Sequence, residues 1–181
     1  MSSHTALMPR EKVPALDLPL VGGGNWSLSE QNPQNFTLVV FYRGRHCPIC
    51  GMYLGDLNRK AADFAERGVN IVVASTDSEE RAIDAKNEWK LDQLDLAHGM
   101  TIEKAREWGL YVSSGRGKTS IGIEEPELFS EPGVFLIRPD QTLYYGATQT
   151  MPFARPGFAD LLKAFDFAVD KDYPARGEVA A

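Results

Sequence analysis

Apolar residues along this chain gather into short continuous runs, separated by stretches with a helical repeat. Residues 36–42 (FTLVVFY), 69–75 (VNIVVAS) and 133–138 (GVFLIR) are rich in β-branched and aromatic side chains. Runs of this kind suit strands buried on both faces of a sheet. After the first run the period changes. Ile49, Tyr53, Leu54, Leu57, Ala61 and Phe64 keep roughly helical spacing, and Gly68 is placed to stop the helix. Thr76, Asp77 and Ser78 offer a cap for a second helix reaching about Lys90. Leu94 and Leu96 suggest a short strand. Thr101 precedes a short helix that ends at Gly109. A closing amphipathic helix over residues 156–169 puts Phe158, Leu161, Leu162, Phe165 and Val169 on one face.

Two hairpins and a long loop complete the reading. Residues 14–28 form an N-terminal β-hairpin around Gly22, Gly23 and Gly24. Residues 142–147 return alongside the third run after a turn at Pro139, Asp140 and Gln141. Residues 111–131 read as a Gly/Ser-rich loop or lid, and loops of that length are uncommon unless functional. Residues 1–12 read as a loose arm, 171–181 as a fraying tail, and 13–170 as one domain. Strand–helix–strand units imply parallel pairing with right-handed crossovers, and the late hairpin adds an antiparallel edge. The predicted fold is therefore α/β, a mixed central sheet flanked by helices.

Composition narrows the function. The 181 residues carry 19 Lys and Arg against 25 Asp and Glu, a net charge of −6, which argues against a nucleic-acid partner. No apolar run approaches the roughly 20 residues of a membrane helix, so no membrane partner is expected. The first residues lack an apolar leader core, and a cytoplasmic location is the expectation.

The chemistry concentrates at Cys47 and Cys50, the only cysteines. They stand where a buried strand passes through a short loop into a helix. Pro48 suits the first helical position, because its missing N–H has no helical partner there anyway. Cys47 is then at or near the N-cap, facing free N–H groups and the positive end of the helix dipole. Both favour the thiolate, which is the nucleophile. Arg43, Arg45 and His46 stand just upstream and can add positive potential. Cys50 lies one turn deeper. The expected roles are attack by Cys47 and resolution by Cys50. A structural zinc needs four ligands, and beyond this pair only His4, His46 and His98 are present, so no metal or organic cofactor is required. Trp26, Trp89 and Trp108 read as packing residues, and His98 as a surface or capping residue. Gly115, Arg116, Gly117 and Lys118 lack the spacing of a phosphate loop. Residues 151–156 (MPFARP), an apolar pair and a cation, read mainly as the lead into the last helix, with the lining of a substrate or partner surface as the alternative.

The stretch FYRGRHCPIC resembles the active site of the peroxiredoxin-like (AhpC/TSA, redoxin) proteins of the thioredoxin fold. NIVVASTDSEE, EPGVFLIRPDQTLYYGA and QTMPFARPGFADLLKAFDF resemble further segments of that group. The resemblance spans most of residues 13–169. It implies a thioredoxin-like fold, a peroxide or disulfide substrate, an external thiol or thioredoxin-type reductant and a homodimer. The chain departs from the pattern in two places. Gly44 stands where a Thr or Ser is usual, and Val40 where a Pro is usual. Glu131, Pro132 and Gly133 stand where the group carries an arginine before its late strand. Pro132 matches instead the cis-proline that faces the cysteine pair in thioredoxins, the alternative being an ordinary trans-proline at a strand start. Arg43, Arg45 and Pro132 are accordingly expected at the substrate site, with either arginine replacing the missing one by hydrogen-bonding a peroxide oxygen. Full peroxidase rates in alanine variants of both arginines would reject that role. Three activities follow: thiol peroxidase, protein disulfide reductase, or a non-catalytic redox-sensing or copper-binding module.

Overall fold

The computed structural model describes residues 4–180, so the first three residues of the expected arm and the last residue of the tail lie outside the described residues. The chain opens with a hairpin of β1 (Asp17–Pro19) and β2 (Asn25–Ser27), followed by β3 (Phe36–Phe41) and the long helix α1 (Pro48–Glu66). Next come β4 (Val69–Ala74), α2 (Glu79–Glu88), β5 (Leu96–Ala97) and α3 (Ile102–Glu107). A second hairpin, β6 (Val112–Ser114) with β7 (Leu128–Ser130), precedes β8 (Gly133–Ile137), β9 (Leu143–Thr148) and α4 (Phe158–Asp170).

The central sheet has the order β5-β4-β3-β8-β9. β3 pairs parallel with β4 and antiparallel with β8, and β9 completes the antiparallel edge. Every residue of β3 is buried because side chains alternate between two covered faces. Leu38, Val40 and Tyr42 join Leu54, Leu57 and Phe64 of α1 and Phe158 and Phe165 of α4. Val39 and Phe41 face the other way, onto Leu18 and Trp26 of the first hairpin and Trp108 after α3. The expected strands, the thioredoxin-like layering and the caps at Ser78 and Thr101 are present, each cap hydroxyl accepting a backbone N–H three residues on.

Three expectations are corrected. Val169, in the last turn of α4, is about half exposed, and the buried face of the helix is Phe158, Leu161 and Phe165. Residues 111–131 are not an open loop: Ser113 pairs with Phe129, and Lys118 bridges Glu124. Its charged and glycine-rich composition concealed two short strands of three residues each. Arg10 and Val13 donate backbone hydrogen bonds to Leu143 and Gln141, and Leu143 donates back to Glu11. The Arg10 guanidinium holds the carbonyl of Ala175 with two hydrogen bonds, joining the two chain ends. Backbone groups at the sheet edge demand partners, and these segments supply them.

Candidate active site

The site grows from the C-terminal end of β3. Five residues, Tyr42 to His46, link the strand to Cys47 at the start of α1. Cys47 is the N-cap, in extended conformation, with Pro48 at the first helical position. Its Sγ accepts the Cys50 backbone N–H at 3.3 Å, as an N-cap oxygen would. Both cysteines are free thiols, and both are buried. Their electrostatics differ. Hydrogen bonding from the Cys50 side chain, opposed by burial and aided by the Cys50 backbone N–H, Arg155 and Arg43, lowers the Cys47 pKa to about 7. Burial, reinforced by Cys47, pushes the Cys50 thiol well up. The first sulfur thus ionises while the second keeps its proton.

The loop is held from below by Asp77, whose side chain is fully buried. Its carboxylate accepts the Arg45 backbone N–H at 2.7 Å and lies 3.3 Å from Arg81 Nε. Gly44 has a positive φ of 139°, and a β-carbon there would sit 2.7 Å from Asp77 Oδ1. That crowding explains a glycine where relatives of the resembled group carry Thr or Ser. Gly51, just after Cys50, leaves room for Trp89, whose Nε1 would lie 2.7 Å from an added β-carbon.

The arginines named from the sequence are engaged by carboxylates. Arg43 makes a two-point pair with buried Glu131, at 3.1 and 3.2 Å, and lies 4.8 Å from the centre of the Phe129 ring. Ser113 also donates to Glu131, so the β6–β7 hairpin braces the loop. Arg45 pairs with Asp84 and Glu88 on α2, which fixes the loop to that helix. His46 is wholly buried against Phe129. Burial, and then Arg43, lower its pKa to about 4, so it is neutral at physiological pH and adds no positive potential, a correction to the sequence reading. Pro132 lies just before Gly133, which is in register with Phe41 at the cysteine end of the sheet. It is not the expected cis-proline: the described residues contain no cis peptide bond. The chain runs straight into the ladder, with Glu131 N donating to Tyr111 O and Pro132 O accepting from Gln149 N. His98 is buried rather than at the surface, its backbone N–H donating to Pro19 O.

Arg155, which the sequence placed only in the lead into the last helix with no tie to the cysteines, reaches the pair. Its Nη1 donates to Cys50 Sγ at 3.4 Å. Its Nε donates to Pro152 O at 2.8 Å, and the guanidinium stacks 4.3 Å from the Tyr53 ring centre. Tyr53 in turn donates its hydroxyl to Pro156 O at 2.6 Å, tying the segment to α1. The MPFARP spacing contains no signal for this contact. Beside it, Ile49, Met52, Tyr53, Pro152, Phe153 and Arg155 line an open groove of about 250 Å³. Met52 and Phe153 are each 73% exposed, so the apolar rim of the groove faces solvent.

The sheet, with its thiol pair at the start of the first long helix, defines a peroxiredoxin-like protein of the thioredoxin fold. The sequence pattern of the AhpC/TSA family matches residues 9–146, and the chain belongs to that family. A candidate peroxiredoxin of Mycobacterium tuberculosis, Rv2521, is 30% identical over 128 residues, covering 68% of this chain and 78% of that protein. The solved structure of the peroxidoxin BcpB from Mycobacterium tuberculosis superimposes with a TM-score of 0.69 at 21% identity, covering 90% of this chain and 98% of that one. A mutant of peroxiredoxin 6 from Arenicola marina gives a TM-score of 0.75 at 18% identity, covering 93% and 76%. At these identities the two structures speak for the fold alone.

Proposed function

We propose that the protein is a thiol peroxidase in which Cys47 attacks and Cys50 resolves. The reading rests on one observation above others: Cys47 Sγ caps α1 and receives the Cys50 N–H. In the first step the Cys47 thiolate attacks the terminal oxygen of a hydroperoxide. An S–O bond forms, the O–O bond breaks, and the leaving alkoxide takes a proton to become an alcohol. The sulfur is oxidised to a sulfenic acid and the peroxide is reduced. In the second step Cys50 sulfur attacks Cys47 sulfur, the S–O bond breaks, and hydroxide leaves with the Cys50 proton as water. An external dithiol, of thioredoxin type, then reduces the disulfide by exchange.

Arg43 supports the Cys47 thiolate through space, and Arg45 positions the loop through α2. Pro132 borders the same end of the sheet. The apolar groove beside Arg155 receives the organic part of a hydroperoxide. Rapid mixing of reduced protein with hydrogen peroxide and an alkyl hydroperoxide tests the reading. Fast loss of one thiol equivalent, abolished in Cys47→Ser, is the expected result. Fast reduction of insulin disulfides with no peroxide reaction would instead establish a disulfide reductase.

A further inference from the structure

We propose that Arg155 is a catalytic residue of the disulfide-forming step, where its guanidinium stabilises the Cys50 thiolate that attacks the oxidised Cys47. The inference rests on the reading of Cys50 as the resolving cysteine.

Cys50 must lose its proton before it can attack, and the site makes that difficult. It is fully buried, and burial raises its pKa strongly. The titratable and charged groups that face it are Cys47 on α1, Tyr53 one turn later, Tyr42 and Arg43 from the end of β3, and Arg155 from the segment before α4. Cys47 opposes its ionisation; Arg155 and the Arg43 backbone N–H favour it. Arg43 spends its guanidinium on Glu131. Arg155 is different. Among the described residues it takes part in no ion pair. Its position is fixed from three sides by Pro152 O, the Tyr53 ring and the Cys50 sulfur.

A second observation points the same way. Arg155 Nη2 is buried and has no hydrogen-bond partner. An unused buried donor on a cation is costly, and such groups in native structures call for a reason. A negative charge arising beside the guanidinium during turnover supplies one. Charge-assisted hydrogen bonds are roughly twice as strong as neutral ones, so the contact to Cys50 strengthens as the thiolate forms. In balance, the Cys50 electron pair forms the S–S bond, the S–O bond of the Cys47 sulfenic acid breaks, and the proton released by Cys50 leaves with hydroxide as water.

The test separates the two steps. Reduced wild type and Arg155→Met are mixed with hydrogen peroxide and quenched at intervals. Mass spectrometry then counts dimedone-trapped Cys47 sulfenic acid and the Cys47–Cys50 disulfide. In Arg155→Met, sulfenic acid formation slows by a smaller factor than closure, because Arg155 is only a minor support of the Cys47 thiolate. Disulfide closure slows about tenfold or more, and its pH profile moves up by about one unit, the same factor expressed as thiolate fraction. Arg155→Lys, which restores the charge, recovers most of the closing rate. Arg155→Gln provides the neutral comparison should the Met variant not fold. Closure at the wild-type rate in the neutral variants would overturn the proposal, as would equal slowing of both steps. Failure of the wild type itself to form the disulfide would remove the resolving role of Cys50 and this inference with it.

Discussion

The Asp77 carboxylate occupies the space in which a β-carbon on Gly44 would have to stand, 2.7 Å from Oδ1. One residue from the link between β4 and α2 thereby dictates the identity of a residue in the cysteine loop. Gly44→Thr, which restores the residue usual in the resembled group, is expected to weaken the protein here. Strained backbone for a non-glycine residue alone costs of order 1–3 kcal/mol, before the clash is counted. Denaturant unfolding of Gly44→Ala, Asp77→Ala and the double variant checks the relationship. The two substitutions are expected to be less than additive, since removing the carboxylate relieves the clash.

Cys47 is expected to titrate near neutrality. Its alkylation by iodoacetamide should rise with pH through a midpoint near 7. The largest cause of the lowering is the hydrogen bond from the Cys50 side chain, so Cys50→Ala should move the midpoint up, toward the value of about 8.5 of free cysteine. A midpoint that stays in place would assign the lowering to the helix and the arginines instead.

His46 links stability to pH. Its folded pKa of about 4 lies below the ordinary value of 6.5, so between those two pH values the unfolded chain binds more protons. Stability is therefore lost as the pH falls from 6.5 toward 4 and is not lost further through this group below that. Urea unfolding across the interval measures the slope. His46→Phe, matched to the apolar contact with Phe129, should flatten it.

The groove beside Arg155 is expected to discriminate among hydroperoxides. Met52→Ala and Phe153→Ala each remove an exposed apolar wall. The ratio of turnover with an aryl hydroperoxide to that with hydrogen peroxide should drop about fivefold for each, the equivalent of about 1 kcal/mol of apolar contact. An unchanged ratio would place the organic part of the substrate elsewhere.

Strands β3, β4 and β8 could be read directly from their apolar runs, because burial leaves few polar positions within them, Thr37 of β3 and the exposed Asn70 of β4. Helix α1, its proline at the first turn and the N-cap position of Cys47 were equally legible, since capping depends on neighbours within a few residues. The β6–β7 hairpin was not, because its two strands of three residues are stabilised across a polar loop and by the Ser113–Glu131–Arg43 contacts. The trans geometry before Pro132, against the favoured cis reading, and the neutrality of His46 were also decided by the fold. Each depends on packing against segments far along the chain.

Local pattern was thus enough for the central strands, the helix starts and the capping position of the first sulfur, because spacing and capping act over a single turn. Which cation reaches the second cysteine was settled by folding. Arg155 is 105 residues from Cys50 in the chain, and only the docking of the segment before α4 onto Tyr53 brings it to the sulfur, while Arg43 and Arg45, adjacent in sequence, are drawn off by carboxylates on other elements. Charge pairing operates through space, and no spacing rule along the chain encodes it.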